Sequence, residues 1–520
     1  MKNAYFLVLL VCDFIFLNAQ PEIDWQKCLG GSGIDYPNTI IQTIDGGYIF
    51  SGTTTSVDGD VTGNNGDRDT WVVKLSTSGD IEWQKCLGGS QSDNPLGFGR
   101  SGLLIQTNDN GYLVVGATQS NDGDVSGNHG ARDGWVVKLS TSGNIEWQKC
   151  LGGSSSEDIS SVIQTSNGDY VLVGGTNSND GDVSGFNGTN DAWILKLSPN
   201  GTILWQNCLG GSAGDGASSV IETQSGGYFV SGWSHSNDGD VLENKGSSDG
   251  WVVKLSNNGT IEWQKTFGGS GTDMLNAAKQ TSNGNYITIG YSNSNNGDVL
   301  GNHGSYDIWA LELTDSGAIV WQKCFGGSSW DYGYSIIQIT DGSYVLTSTV
   351  NSDDGDITGH HGNSGNNSGN DVWAANLSTN GDIVWQKCLG GSNSDWAYSV
   401  SETPDGGLIL ANDTGSNDGD VSENQGGADA WIVKLNSVLS TNELSNIIPS
   451  IRVFPNPTTS KWTIESSRVI NTLTLFNLLG QKVLEQTANN TKVSIDASNL
   501  KTGVYMLQIN NTIMKRMIKR

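Results

Sequence analysis

Basic residues, apolar bulk and long hydrophobic runs are all scarce in this 520-residue chain. Lys and Arg number 27 against 54 Asp and Glu, a net charge of −27. A chain of that sign is excluded from nucleic-acid binding, where phosphates must be neutralised by Lys and Arg. Only 35% of residues are hydrophobic, but 71 glycines, about 14% of the chain, restore the apolar-plus-glycine share of ~45–50% found in globular proteins. Glycine costs about 1 kcal/mol at a helix position, which excludes helical bundles. Beyond the first twenty residues no stretch reaches the ~18 apolar residues a membrane helix needs. The five histidines lack metal-ligand spacings such as HExxH, and residues 20–446 hold three arginines: Arg68, Arg100 and Arg132.

The first segment reads as an address. Lys2 gives a positive start, Ala4 to Leu17 is mostly apolar, and Leu17-Asn18-Ala19 ends on a small residue before Gln20. This is the layout of a secretory signal peptide over residues 1–19. A lipoprotein cleavage before Cys12 is the alternative, and the size of Val11 argues against it.

Most of the remaining chain is one unit repeated. Trp-Gln recurs at Trp25, Trp83, Trp147, Trp205, Trp263, Trp321 and Trp385, spaced 58, 64, 58, 58, 58 and 64 residues apart. Asp-x-Trp recurs at Trp71, Trp135, Trp193, Trp251, Trp309, Trp373 and Trp431. In the first unit, residues 38–43 and 47–54 flank a tight turn, and 70–76 and 80–87 flank another. Trp71, Val73 and Leu75 alternate with Val72 and Lys74, the period of a strand. Four strands per unit and seven units predict an all-β fold, a seven-bladed β-propeller over residues 20–435. The chain enters at a lone fourth strand, Ile23 to Leu29, and leaves after a lone third strand, Trp431 to Leu435. The first then completes the seventh blade and removes an open edge. A linear β-solenoid is the alternative.

Cys28, Cys86, Cys150, Cys208, Cys324 and Cys388 share one repeat position, with Thr266 in the remaining copy. On different blades they lie beyond the ~7 Å Cα limit for a disulfide, so they read as small reduced core residues.

Two connections share a face of a propeller: fourth strand to next first strand, and second to third. The first set carries Asp35, Asp93, Glu157, Asp215, Asp273, Asp331 and Asp395. The second carries two series, Asp60 to Asp420 and Asp69 to Asp429, so three sevenfold carboxylate rings are expected to converge on that face. Asp58, Asp60, Thr62, Gly63 and Asp69 fall at positions 1, 3, 5, 6 and 12 of a twelve-residue loop, which resembles in part the calcium loop of EF-hand and dockerin modules. Calcium is therefore the candidate cofactor, on Asp58, Asp60 and Asp69, on Asp122, Asp124 and Asp133, and on Asp180, Asp182 and Asp191. The alternative is that the Asp-Gly pairs make turns and the last aspartate holds loop amides.

Catalytic constellations are scarce. The arginine cluster and Ser-x-Asp-x-Gly-x-Thr-Trp box of sialidase propellers are absent, as is the full repeat signature of quinoprotein propellers. Function is expected where the symmetry breaks, in the insertions at Asn94 to Gly102 and Asn363 to Asn370 and in the aromatics outside the framework. Tyr36, Arg100, Trp330, Tyr332, Trp396 and Tyr398 form a candidate ligand-binding arc suited to carbohydrate or peptide. Loop packing is the alternative reading of the same residues.

Composition changes near the end. Residues 447–520 carry ten Lys and Arg against three acids, a net +7, which leaves −34 on the residues before them. A Ser/Asn-rich linker spans 436–446. Phe454-Pro455-Asn456-Pro457, Leu475-Phe476-Asn477 with Gly480-Gln481-Lys482-Val483, Leu500-Lys501-Thr502-Gly503-Val504-Tyr505, and the basic end Lys515, Arg516, Lys519 and Arg520 resemble the type A C-terminal sorting domain of the type IX secretion system. The resemblance implies an immunoglobulin-like β-sandwich and the secretion machinery as partner. It also implies export across the outer membrane of a Gram-negative bacterium, with the cargo released or attached to the surface. The expected function is a secreted or cell-surface binding or adhesion module. Its rivals are an enzyme acting on extracellular polysaccharide or peptide, and a purely structural surface protein.

Overall fold

The computed structural model describes residues 20–94, 103–362, 369–437, 451–477, 481–510 and 513–520. The chain divides into two units, Met1–Ser437 and Val438–Arg520. Among the described residues every regular element is a strand.

Local chemistry sets the strands. Blade 1 consists of Asp35–Gln42, Tyr48–Thr54, Asp69–Leu75 and Ile81–Leu87. The first hairpin closes with the Thr43 amide donating to Gly47 O at 2.9 Å and the Gly46 amide to Thr43 O at 2.9 Å. Gly46 sits at φ 88°, a left-handed conformation that disfavours any side chain. The innermost strand begins at Asp35, three residues earlier than the pattern predicts, because Asp35 pairs with Thr54 and a bulge at Pro37/Thr39 accommodates the proline.

Seven antiparallel sheets share this plan. In blade 2 the innermost strand is split into Asp93–Asn94 and Leu104–Gln106, on either side of the insertion. The ring closes as expected: Ile23–Leu29 pairs antiparallel with Asp429–Leu435, from Ile23 opposite Leu435 to Leu29 opposite Ala430. Blade 7 also bonds directly to blade 1, with Ser401 Oγ donating to Ile40 O at 3.0 Å and the Asp35 amide to Ala428 O at 2.7 Å.

The core lies between blades. Phe50, Trp71, Val73 and Leu75 of blade 1 pack with Ile409, Ala411, Ala430 and Ile432 of blade 7. Both tryptophan series serve this core. Trp71 is fully buried, and its indole Nε1 donates to Gln84 Oε1 at 2.9 Å. The glutamine of each Trp-Gln pair thus satisfies the tryptophan of the Asp-x-Trp motif, in blade 7 through Gln26 to Trp431 at 2.7 Å. The tryptophan of Trp-Gln instead packs across the blade boundary, as Trp25 does edge-on against Tyr48 at 5.6 Å. The six cysteines between Cys28 and Cys388 are free, and burial pushes the Cys28 and Cys86 thiols up to about 12.

In the second unit one 17-residue strand, Lys461–Asn477, organises the sheet. Its first part pairs with Ile451–Phe454, its last part with Gly503–Ile509, and Lys482–Asp496 runs beside it. Ile513–Lys519 adds to Gly503–Ile509. Trp462, Ile464, Leu475, Leu507 and Met517 fill its core. The Phe454-Pro455-Asn456-Pro457 motif is clamped to the basic end: Asn456 Nδ2 donates to Arg516 O at 2.9 Å, and the Ile518 amide to Asn456 Oδ1 at 2.7 Å. Tyr505 Oη donates to Lys501 O at 2.8 Å, closing the loop that holds Gly503. Lys519 is buried and Lys515 exposed, while Gly480 lies outside the described residues.

Candidate functional site

The carboxylate rings are built into the blade junctions. Gly30, Gly31 and Ser32 present three successive amides, and each meets its own carboxylate: Asp60 Oδ2 at 3.2 Å, Asp35 Oδ2 at 2.9 Å and Asp58 Oδ1 at 2.7 Å. Asp35 also accepts from Thr54 Oγ1 and, at 2.6 Å, from Ser56 Oγ. Asp69 Oδ2 accepts the Asn65 amide at 2.9 Å. The same bonds recur at Asp122, Asp124 and Asp133, to Ser90, Gly88 and His129 amides. They recur again at Asp180, Asp182 and Asp191, to Ser154, Gly152 and Asn187 amides. The residues considered for calcium therefore hold loop amides. Among the described residues no group of three or more His, Cys, Asp or Glu is arranged to hold a metal ion.

Two of the three rings are buried in the junctions and do not line an open face: Asp35 and Asp69 are fully covered. Asp69 Oδ1 has no hydrogen-bond partner, and the same oxygen is unpartnered in Asp133, Asp191, Asp249, Asp307, Asp371 and Asp429. Burial, and then the charges of Asp93 and Asp124, push the Asp69 carboxyl up to about 6. His129, His303 and His361, which share one repeat position, place Nδ1 at 2.6, 2.7 and 2.8 Å from Asp133, Asp307 and Asp371.

The blades differ from one another chiefly at the entry end of the bore, where the innermost strands begin. The second residue of those strands is Tyr36, Asn94, Asp158, Gly216, Met274, Tyr332 or Trp396. The residue opposite it is Thr53, Ala117, Gly175, Trp233, Tyr291, Thr349 or Asp413. A framework repeated seven times thus carries a variable pair at one level.

Blades 5 to 7 fill that level with aromatic rings. Trp330 stacks on Trp396 at 5.6 Å and on Tyr332 at 4.9 Å, with interplanar angles of 25° and 26°. Tyr332 continues to Tyr291 at 4.6 Å and Tyr306 at 5.6 Å. A parallel bridge between Tyr306 and Trp330 brings the two loops together, the same bridge that joins Arg68 to Ser92 and Arg132 to Ser156. All five rings are half-buried. Tyr36 and Tyr398 form a separate stack at 6.5 Å, with Tyr398 buried and the Arg68 guanidinium over Tyr36 at 6.0 Å. Arg100 lies outside the described residues.

Tyr291, Tyr306 and Asp413 do not stand out in the sequence. Asp413 is opposite Trp396, so both side chains share one face of the blade 7 sheet. It is buried beside Tyr398, whose hydroxyl favours the charged form of the carboxyl. Burial pushes the Asp413 carboxyl up to about 8, helped by the charge of Asp395. The available signal is that Asp413 is the one acid at its repeat position. Together the five rings of the arc offer flat apolar faces.

Residues 452–520 match the secretion system C-terminal sorting domain. That domain marks the chain for export, either secreted or attached to the outer-membrane surface of a Gram-negative bacterium. The chain is 28% identical over 149 residues to an endo-acting ulvan lyase of Formosa agariphila, a match covering 27% of this chain and 28% of that protein. It is also similar to the Pan2 WD40 domain of Neurospora crassa, with 10% identity, a TM-score of 0.41, and 78% and 95% of the two chains covered. The PQQ-bound aldose sugar dehydrogenase of Streptomyces coelicolor is similar at 11% identity and a TM-score of 0.31, with 80% and 99% covered.

Proposed function

We propose that the exported propeller is a carbohydrate-binding module whose site is the aromatic arc of Trp330, Tyr332, Trp396, Tyr291 and Tyr306. The observation that carries this reading is the stacked, half-buried series Trp396–Trp330–Tyr332, placed where the blades depart from their repeat. Sugar rings present C–H faces that lie against indole and phenol rings, and hydroxyls that pair with nearby polar groups. On a cell surface or in the medium, such a module serves capture or adhesion.

Screening wild type and the Trp330→Ala/Trp396→Ala double variant on a glycan array tests it. The expected result is at least a tenfold loss of binding with the melting temperature retained; unchanged binding sinks the proposal.

A further inference from the structure

Fourteen of the 18 tryptophans belong to the two framework series, Trp330 and Trp396 to the arc, and Trp462 to the core of the second unit. Trp233 is the one left over. It lies in the second strand of blade 4, Tyr228–Ser234, at the repeat position that Tyr291 holds in blade 5. Its cross-strand neighbours are Gly216 and Gly250, so neither flanking strand sets a side chain beside it.

The indole lies across the start of the innermost strand. A Cβ on Gly216 would stand 2.8 Å from its Cε2 and Cζ2, and one on Gly214 3.7 Å from its Cζ3, so a side chain at 216 would push the ring away. Gly214 holds the repeat position of Trp330, and each is bridged to the loop before it, Asn190 to Gly214 and Tyr306 to Trp330. Blade 4 thus brings an indole from its second strand to the place where blade 6 sets one from its entry loop. His235 stands beside it, exposed, with ring centroids 4.9 Å apart at 49° and its amide donating to Gly214 O at 2.8 Å. In the Asp-x-Trp series every indole Nε1 donates to a glutamine. Trp233 is half-buried and, among the described residues, neither its Nε1 nor the His235 ring forms a hydrogen bond. A tryptophan kept for packing alone would be buried and paired as those are.

We infer that Trp233 and His235 form a second sugar-binding subsite, so that the ligand of the propeller is a neutral polysaccharide chain held along blades 4 to 7 and not a single terminal sugar. The inference rests on the carbohydrate reading of the arc. Trp233 is one blade away from Tyr291, roughly the 10 Å at which packed sheets lie, a gap that linked sugar rings bridge and one ring does not. The indole takes the C–H face of a sugar, and Trp233 Nε1 and the His235 ring pair with its hydroxyls. The residues before 447 carry a net −34, which repels sulfated and uronic chains and favours an uncharged one.

Calorimetric titration of the full-length exported chain tests the inference, with disaccharides and hexasaccharides of β-1,4-linked glucose, mannose and xylose as probes. Trp233→Thr places the residue of blades 1 and 6, Thr53 and Thr349, and should melt with wild type; Trp233→Phe keeps an aromatic ring. At least one hexasaccharide is expected to bind wild type at least tenfold more tightly than its disaccharide. Trp233→Thr should lose most of that difference and Trp233→Phe keep it, with disaccharide binding the same in all three. The Trp330→Ala/Trp396→Ala variant should weaken both ligands. If it weakens neither while Trp233→Thr still weakens the hexasaccharide, the arc reading fails and the Trp233 subsite stands. Hexasaccharides that bind wild type no more tightly than disaccharides, or that bind Trp233→Thr as they bind wild type, overturn the inference.

Discussion

One oxygen of Asp69 accepts the Asn65 amide, while the other is buried without a partner and crowds Asp93 across Gly88. A group whose folded pKa lies above its unfolded value, here about 6 against an ordinary ~3.9, binds an extra proton in the folded state between those limits. Its contribution to stability is complete below about pH 4 and is lost as pH rises through about 6. Asp191, Asp249 and Asp429 behave alike. Asp58, Asp122 and Asp180 shift the other way, because the Ser32, Ser90 and Ser154 amides favour their charged form. Their contribution holds above the ordinary carboxylate range and fades as pH falls through it. Calorimetric melting from pH 3 to 9 should therefore show a maximum between about pH 4 and 6. Asp69→Asn places an amide donor against Asp93 and should melt above wild type at pH 8; a lower melting temperature there refutes the pairing.

The elements joining blades are held by backbone close approach. A Cβ on Gly89 would lie 2.5 Å from Asp122 O and 2.4 Å from Asp122 Oδ1. Gly89→Ala must push one blade from the next and is expected to cost about 1–3 kcal/mol, read as a lower melting temperature. Wild-type melting would mean the strap gives way freely. Gly63 meets nothing within 4 Å but sits at φ 89°, so the same change there meets backbone strain in place of a clash. This difference shows what was legible beforehand. Unit length, four strands per blade and ring closure are written in tryptophan spacing, because each pair of tryptophans must be buried once per blade. Trp330, Tyr332 and Trp396 stood out as additions to that spacing. Tyr291 and Asp413 did not, because their neighbours are set by register across strands and by which blades adjoin.

At the scale of the whole molecule, stability depends on one strand borrowed from the start of the chain. Ile23–Leu29 supplies the outer edge of blade 7, where Gln26 Oε1 satisfies the buried Trp431 indole and Leu29 joins the blade 7–blade 1 core. Gln26→Ala leaves that indole unpaired, which costs about 1–3 kcal/mol. The corresponding change at Gln84 removes the same bond from a blade whose four strands are contiguous. Loss of Gln84 loosens one blade, whereas loss of Gln26 loosens the joint that makes the sheets a ring. Removing residues 20–31 goes further, since blade 7 then ends on the unpaired edge of Asp429–Leu435, a template for another chain. The single variants should melt below wild type, Gln26→Ala the lower of the two, and the deletion should elute as higher oligomers in size-exclusion chromatography. A monomeric deletion variant melting at the wild-type temperature would show that the ring does not need its first strand.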